Sequence, residues 1–232
     1  MNKINLEMDL HIHTIASGHA FSTLNEIVSY SEAKGMKTVG ISDHGPSMLG
    51  APVESYFSMK NDVNLSSNKV KILFGCEANI LNDTGILDIS SQTALGLDYV
   101  FAGLHKLTPF SSKGELYNTR AIVNCINNNS LCGITHPVSD SFPVEIKPII
   151  EAARYNKTLL EINSRELIRC SDQTFKQYLT MIELCANMEV PIILGSDSHI
   201  LNTVGVFSAP QEVFDIISET GVLVFNNYLN NL

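Results

Sequence analysis

The stretch Asp9-Leu10-His11-Ile12-His13-Thr14 places two histidines two residues apart. Residues 6–10 have the apolar pattern of a short strand, so both histidines fall at a strand end. Side chains on a strand alternate faces, and positions i and i+2 point the same way. His11 and His13 therefore present two imidazoles together, and neutral imidazole is the commonest protein ligand for transition metals. Asp9 is expected on the same face, holding one ring by its second nitrogen. A His-x-His alone is also what a plain polar strand end looks like, so its meaning depends on the rest of the chain.

The other histidines fall in similar places. His44 follows Asp43 after a strand at 38–42, and His105 ends a strand at 99–104. His136 follows Gly133-Ile134-Thr135, and His199 stands two residues past Asp197, beyond a strand at 191–196. Glu77 lies near the end of a strand at 70–78, and residues 158–163 form the remaining strand. His19 alone lies within a loop, 15–22.

Helical stretches separate these strands. Residues 24–34 are opened by the capping box Thr23-Leu24-Asn25-Glu26 and closed by Gly35. Helices are also expected over 120–127, 144–155, 172–188 and 210–219; that over 172–188 has Phe175, Leu179, Ile182 and Ala186 on one face. Residues 80–89, turning at Asn82-Asp83-Thr84-Gly85, read as a hairpin excursion. Residues 60–68 read as a helix end or polar connection, and 108–119 as a polar loop. The alternation predicts an α/β fold, a small barrel of seven parallel strands with helices outside. Such barrels keep their chemistry at the C-terminal strand ends, where these histidines fall.

Seven histidines and the carboxylates Glu77 and Asp197 make nine candidate ligands. A single zinc takes about four, so two or three divalent ions are expected. A carboxylate has two oxygens and bridges ions naturally; Glu77 is the better bridge and Asp197 a terminal ligand. His11, His13, His44 and His199 each have an acid or another histidine beside them, whereas His105 and His136 stand singly. His19, taken alone, is a solvated loop residue. Glu161 is expected to face outward to a helix, leaving Asn163 at the mouth. Cys76 is expected on the face opposite Glu77, in the core, and Asp43 is expected to support the His44 loop.

Composition narrows the function classes. The chain has 232 residues, 44% hydrophobic and 17% charged, which suits one domain spanning 1–232. A net charge of −9 disfavours a long nucleic acid as partner, although bound divalent metals would reverse that sign locally. The N-terminus has no apolar leader segment, and no run approaches the ~18 apolar residues of a membrane span. Five cysteines without a Cys-x-x-Cys pair read as reduced thiols of a cytoplasmic protein.

Together these motifs resemble the PHP (polymerase and histidinol phosphatase) superfamily of metal-dependent phosphoesterases. They are Asp9-Leu10-His11-Ile12-His13-Thr14, Ile41-Ser42-Asp43-His44-Gly45-Pro46, Gly75-Cys76-Glu77-Ala78-Asn79-Ile80, Thr135-His136-Pro137 and Gly195-Ser196-Asp197-Ser198-His199, in that order. Ala16-Ser17-Gly18-His19-Ala20-Phe21-Ser22 is similar to the stand-alone YcdX-type bacterial phosphatases, which have a trinuclear zinc site. The resemblance implies a distorted (βα)7 TIM-like barrel. It also implies zinc, up to three ions per chain, with manganese or iron as alternatives. One ion would take His11, His13, Glu77 and Asp197; a second Glu77, His105 and His136; a third His19, His44 and His199. A water between two ions would have its pKa lowered towards 7 and attack phosphorus in line, with Asp197, His199 and Glu77 catalytic. Lys106 or Arg165 is expected on the substrate phosphate.

The expected function is hydrolysis of small phosphomonoesters. Residues 80–89 and 108–119 are expected to crowd the mouth against a diester. Alternatives are a phosphodiesterase or nuclease of the same superfamily, or a non-catalytic metal-binding accessory domain. The latter would have lost ligands, and none is missing. An amidohydrolase would carry a bridging lysine on the fourth strand, and residues 99–104 have none. Oligomeric state is left open.

Overall fold

The computed structural model describes residues 1–63 and 69–227. Residues 64–68, five of the nine in the connection expected at 60–68, lie outside the described residues; Met59–Asp62 forms a single 3-10 turn. In chain order the elements are β1 Asn2–Asn5, β2 Met8–Ile12, α1 Leu24–Ala33, β3 Thr38–Ile41, α2 Ser55–Ser58, β4 Lys71–Asn79, α3 Ser91–Gly96 and β5 Tyr99–Gly103. They continue with α4 Glu115–Asn128, β6 Gly133–Ile134, α5 Ile146–Asn156, β7 Leu159–Asn163, α6 Ser164–Arg169, α7 Asp172–Asn187, β8 Ile192–Gly195, β9 Val206–Ala209 and α8 Gln211–Thr220.

β2 to β8 form one seven-stranded parallel sheet in sequential order, curled into a nearly closed barrel. Strands buried on both faces read as continuous runs rather than alternating ones, as in the fully buried β2, β5 and β7. The barrel interior holds Met8, Leu10, Tyr99, Phe101, Leu159 and Ile193. Gly40 on β3 and Gly75 on β4 leave the space that the Tyr99 ring fills; a Cβ on either would collide with it. Tyr99 Oη in turn donates to the Leu10 carbonyl at 2.7 Å. The larger core lies outside, where α4, α5, α7 and α8 cover the sheet. On α7 the deepest residues are Tyr178, Met181, Ile182 and Cys185; Phe175, Leu179 and Ala186 flank them, half-buried.

The capping box at α1 is formed as expected: Thr23 Oγ1 accepts from Glu26 N, and the Glu26 carboxylate accepts from Thr23 N at 2.8 Å. The turn at 82–85 is also present, with an Ile80–Leu87 bridge. Several elements differ from expectation. α4 begins at Glu115, inside the stretch expected as loop. β1 and β9 form a separate antiparallel pair. The short helices α2, α3 and α6 add to the expected set.

The barrel closes only at one end. Between β8 and β2, His13 N donates to Ser198 O at 2.9 Å and Ser198 N to His11 O at 3.2 Å. Farther down, side chains replace the ladder. Asp9 accepts from Ser196 N and Gly205 N, and Asn226 donates to Met8 O and Leu194 O, both at 2.9 Å. No helix of the described residues is long and apolar enough to cross a membrane. No disulfide joins the five cysteines, and Cys76 is buried in the core as expected.

Candidate metal centre

All seven histidine rings meet at the mouth where the strands end. Their contacts are continuous, with centroid separations from 4.3 Å (His13–His199) to 6.1 Å (His11–His136). Glu77, fully buried at the end of β4, is the centre of this group. His105 Nε2 and His136 Nε2 each lie 3.0 Å from its Oε1, and His11 Nε2 lies 3.3 Å away. His44 Nδ1 and His13 Nε2 lie 2.9 and 3.5 Å from Oε2. Asp197 flanks the group, 3.4 Å from His13 Nε2 and 3.2 Å from His199 Nδ1. His19 is more exposed and joins through its ring contacts with His44 and His199. Two of these residues, His136 and Asp197, have positive φ (29° and 51°), a backbone strain that surrounding structure must sustain.

The groups behind the rings set which nitrogen faces inward. The His11 Nδ1–H donates to Glu161 Oε1 at 2.6 Å, so Nε2 points at Glu77. Ser17 Oγ donates its one proton to Asp43 Oδ1 at 2.6 Å. Against His13 Nδ1, at 3.1 Å, that hydroxyl can therefore only accept. His13 thus carries its proton on Nδ1 and turns a lone pair inward. Ser17 Oγ also accepts from His44 N, and Asp43 further accepts from Thr14 N, Thr14 Oγ1 and Tyr56 Oη. Asp43 supports the loop, as its position next to His44 implied. Asp88 does the same for the far side of the His44 loop, accepting from Ser47 N and Asn79 Nδ2.

Two expectations from the sequence are corrected. Asp9 holds no ring. A register shift between Asp9 and Ile12 breaks the two-residue period, and the Asp9 carboxylate accepts instead from three backbone N–H groups, of His11, Ser196 and Gly205. Glu161 does not face outward; it is buried inside the barrel, bonded to His11 and, at 2.8 Å, to His136 N. Asn163 shares that face and donates to Glu161 at 3.0 Å. Gly195 makes room for this contact, since a Cβ there would overlap the Glu161 carboxylate.

Charge in the cluster is sharply sorted. Burial opposes charging His11, but Glu161, Glu77 and Asp197 hold its pKa well above the ordinary value. For His136, burial is likewise outweighed by Glu77, and its pKa is pushed up to about 9. Burial lowers His44 to about 4 and, with the neighbouring His44, carries His13 well below its usual range. Glu77 and Asp197 resist the upward push of burial because the histidines around them hold both well below the carboxylate range.

The donor set fits divalent transition metals. Among the described residues, the inward nitrogens of His11, His13, His44 and His105 and one oxygen of Glu77 are buried without a properly oriented hydrogen bond. An unsatisfied buried polar group costs ~1–3 kcal/mol, so ions ligated by these converging groups would account for them. Three donor triplets have all ligand atoms within 4.8 Å of one another: His11, His13 and Asp197; His13, His44 and His199; His44, Glu77 and His105. These triplets overlap the sets implied by the resemblance without coinciding with them; His13 and His44 are each shared by two, and His19 and His136 belong to none.

The rim carries the candidate phosphate-binding cations. β7 runs directly into α6, whose first turn is capped by the Asn163 side chain, and this puts Arg165 over the mouth. Its Nη1 lies 2.7 and 2.9 Å from the ring nitrogens of His199 and 3.6 Å from Asp197 Oδ1. Lys106 is exposed on a cleft of ≈ 350 Å³ that it shares with His44, His105, His136, Arg165 and Asp197. Residues 80–89 and 108–119 do not line that cleft; Met48, Leu49 and Leu107 do. The 80–89 excursion packs on α4 instead, through Arg120 on Asp83 and Asn124 on the Asp83 carbonyl.

The chain belongs to the PHP domain family, which matches residues 9–177. It is 36% identical over 219 residues to a probable phosphatase of Clostridium acetobutylicum, covering 94% of this chain and 89% of that one. It is 35% identical over 212 residues to one of Proteus mirabilis, covering 91% and 85%. In fold it is similar to the histidinol phosphate phosphatase of Lactococcus lactis, whose crystal structure contains zinc, L-histidinol and phosphate. That likeness has a TM-score of 0.64 at 16% identity and covers 94% of both chains.

Proposed function

We infer that this chain is a metal-dependent phosphoesterase that hydrolyses small phosphomonoesters, with residues 1–232 acting as one PHP unit. The observation that carries this reading is the set of buried, inward-facing imidazole nitrogens around the Glu77 carboxylate. His11, His13, His19, His44, Glu77, His105, His136, Asp197 and His199 would hold about two to three divalent ions, zinc by preference. When bound, such ions polarise phosphoryl oxygens and bring a water's pKa towards neutrality.

The protein's own groups do the rest. Glu77, buried and anionic, offers one oxygen to His105 and His136 and the other to His44 and His13, the arrangement a bridging ligand needs. Glu161 and Ser17 hold His11 and His13 by their Nδ1 atoms, so the Nε2 atoms stay aimed inward as substrate enters. Arg165 stands over Asp197 and His199, where its fork can receive two phosphoryl oxygens, and Lys106 adds a second cation at the rim. The five free thiols fit the reducing conditions of a cytoplasmic enzyme acting on a small phosphorylated metabolite.

The test compares p-nitrophenyl phosphate, bis-p-nitrophenyl phosphate and single-stranded DNA under identical metal conditions. The monoester is expected to turn over fastest. Faster turnover of the diester or the DNA replaces this reading with a phosphodiesterase or nuclease. Elemental analysis of chelator-free protein should find at least about one equivalent of transition metal, since the cluster holds more donors than a single ion uses.

A further inference from the structure

Two clefts open on the metal centre. The first, described above, contains His44, His105, His136 and Lys106. The second, ≈ 480 Å³, contains Phe21, Ile168, Ile200 and Lys3. His19, Arg165, Arg169, Asp197 and His199 line both and form the wall between them. The phosphoryl end of a substrate belongs in the first cleft, with most of the candidate ligands and both Lys106 and Arg165. The second cleft has a different character. Phe21 is 79% exposed, Ile168 52% and Ile200 43%, and all three line it. Single exposed apolar side chains are ordinary. Three on one cleft that opens onto Asp197 and His199 form a surface adjoining the reaction site.

Phe21 is also held in place. Its N–H donates to the His199 carbonyl at 2.9 Å, and the loop carrying it is closed by Ile15 N on Ser22 O at 2.9 Å. Gly18 in the same loop, at φ 80°, lies so close to Gly50 that no side chain would fit there. The base of the Phe21 ring is therefore fixed relative to a candidate metal ligand. Arg169 lies one helical turn beyond Arg165 on α6 and so shares its face.

We propose that the second cleft seats the alcohol portion of the substrate, and that this portion is a flat aromatic ring packed on Phe21 beside Arg169. This rests on the phosphoesterase reading above and assigns the substrate class within it. An aromatic face offers a planar partner a stacking contact, and a guanidinium alongside adds to it. An aliphatic alcohol gains much less from the same surface.

The test measures binding and turnover in the metal-loaded protein and in Phe21→Ala and Phe21→Tyr. By calorimetry, phenylphosphonate should bind about tenfold more weakly to Phe21→Ala, the scale of one lost stacking contact. Methylphosphonate should change by less than about twofold, and Phe21→Tyr should bind both like wild type. The KM for p-nitrophenyl phosphate should rise selectively over that for glycerol 1-phosphate. Equal weakening of both phosphonates, no change in either, or failure of the wild type to bind either one overturns the proposal. Loss of a dimer in Phe21→Ala by sedimentation, without a change in the phenyl-to-methyl ratio, overturns it in favour of self-association. If both phosphonates bind but neither ester is hydrolysed, the phosphoesterase reading fails, while the binding ratio still decides whether the ring sits on Phe21.

Discussion

The floor of the mouth and its rim are built on different principles. On the floor, Glu77 and the rings of His11 and His13 are almost wholly buried, and a second layer of Glu161, Ser17 and Asp43 fixes the orientation of each ring. On the rim, Lys106, Arg169 and Phe21 reach into solvent from a turn, the end of α6 and a loop. The floor positions are over-determined, so each depends on several others. The rim positions are nearly independent of each other. A scaffold of this kind can keep its metal chemistry while its substrate choice varies.

That contrast can be broken from the floor first. Glu77→Ala and Asp197→Ala should lower turnover by more than about 100-fold, since supporting groups behind ligands are alone worth ~10–100-fold. Bound metal should fall with it and circular dichroism should show the barrel intact. Normal turnover at normal metal content would remove that residue from the centre. The next layer should matter less: Glu161→Gln is expected to weaken metal binding by about 10–100-fold, read by competition with a chromogenic chelator.

Acidity tests the same layer. His11 and His136 are held charged at neutral pH in the metal-free chain, while His13 and His44 are held neutral. Ligation requires neutral imidazole, so loading displaces protons from the first pair only. Affinity should therefore fall as pH falls below about 9, where His136 takes up its proton, by up to about 100-fold per unit once both rings are charged. Calorimetry in buffers of different ionisation enthalpy counts those protons, and none released would mean that the carboxylates do not hold the two rings charged. The rim should respond least. Lys106→Ala is expected to raise KM about threefold with kcat and metal content unchanged, as for an exposed charge that steers and holds an anion. A fall in metal content would move Lys106 from the rim to the floor.

The sequence made the floor legible and the supporting layer much less so. Histidines and acids at strand ends declare themselves by type, and the parallel barrel follows from alternating strands and helices. Glu161 was misplaced because β7, buried on both faces, shows no polar alternation to orient it. The usable signal was its spacing from Asn163, since i and i+2 share a face. Asp9 escapes the sequence pattern for the opposite reason: the two-residue period does not hold across a register shift that no residue type announces. β1 and β9 are four residues each and pair across about 200 positions, a contact with no local signature. α6 follows β7 with no intervening turn residue, so the strand pattern hid the helix that carries Arg165.

The seam between β2 and β8 has a consequence for how the empty and loaded proteins breathe. Among the described residues only two backbone hydrogen bonds join the ends of these strands, both beside His11, His13 and Ser198, while Asp9 and Asn226 stitch the remainder with side chains. The candidate ligands His11 and His13 lie on one lip and Asp197 and His199 on the other. An ion held by residues of both lips would act as a clasp on a cylinder that its own ladder barely fastens. Binding the closed form in preference to an opened one, it would add that difference in binding free energy to closure. Amide exchange at His13 and Ser198 should then slow on loading far more than exchange at the β4–β5 ladder on the opposite wall, which is fastened with or without the clasp.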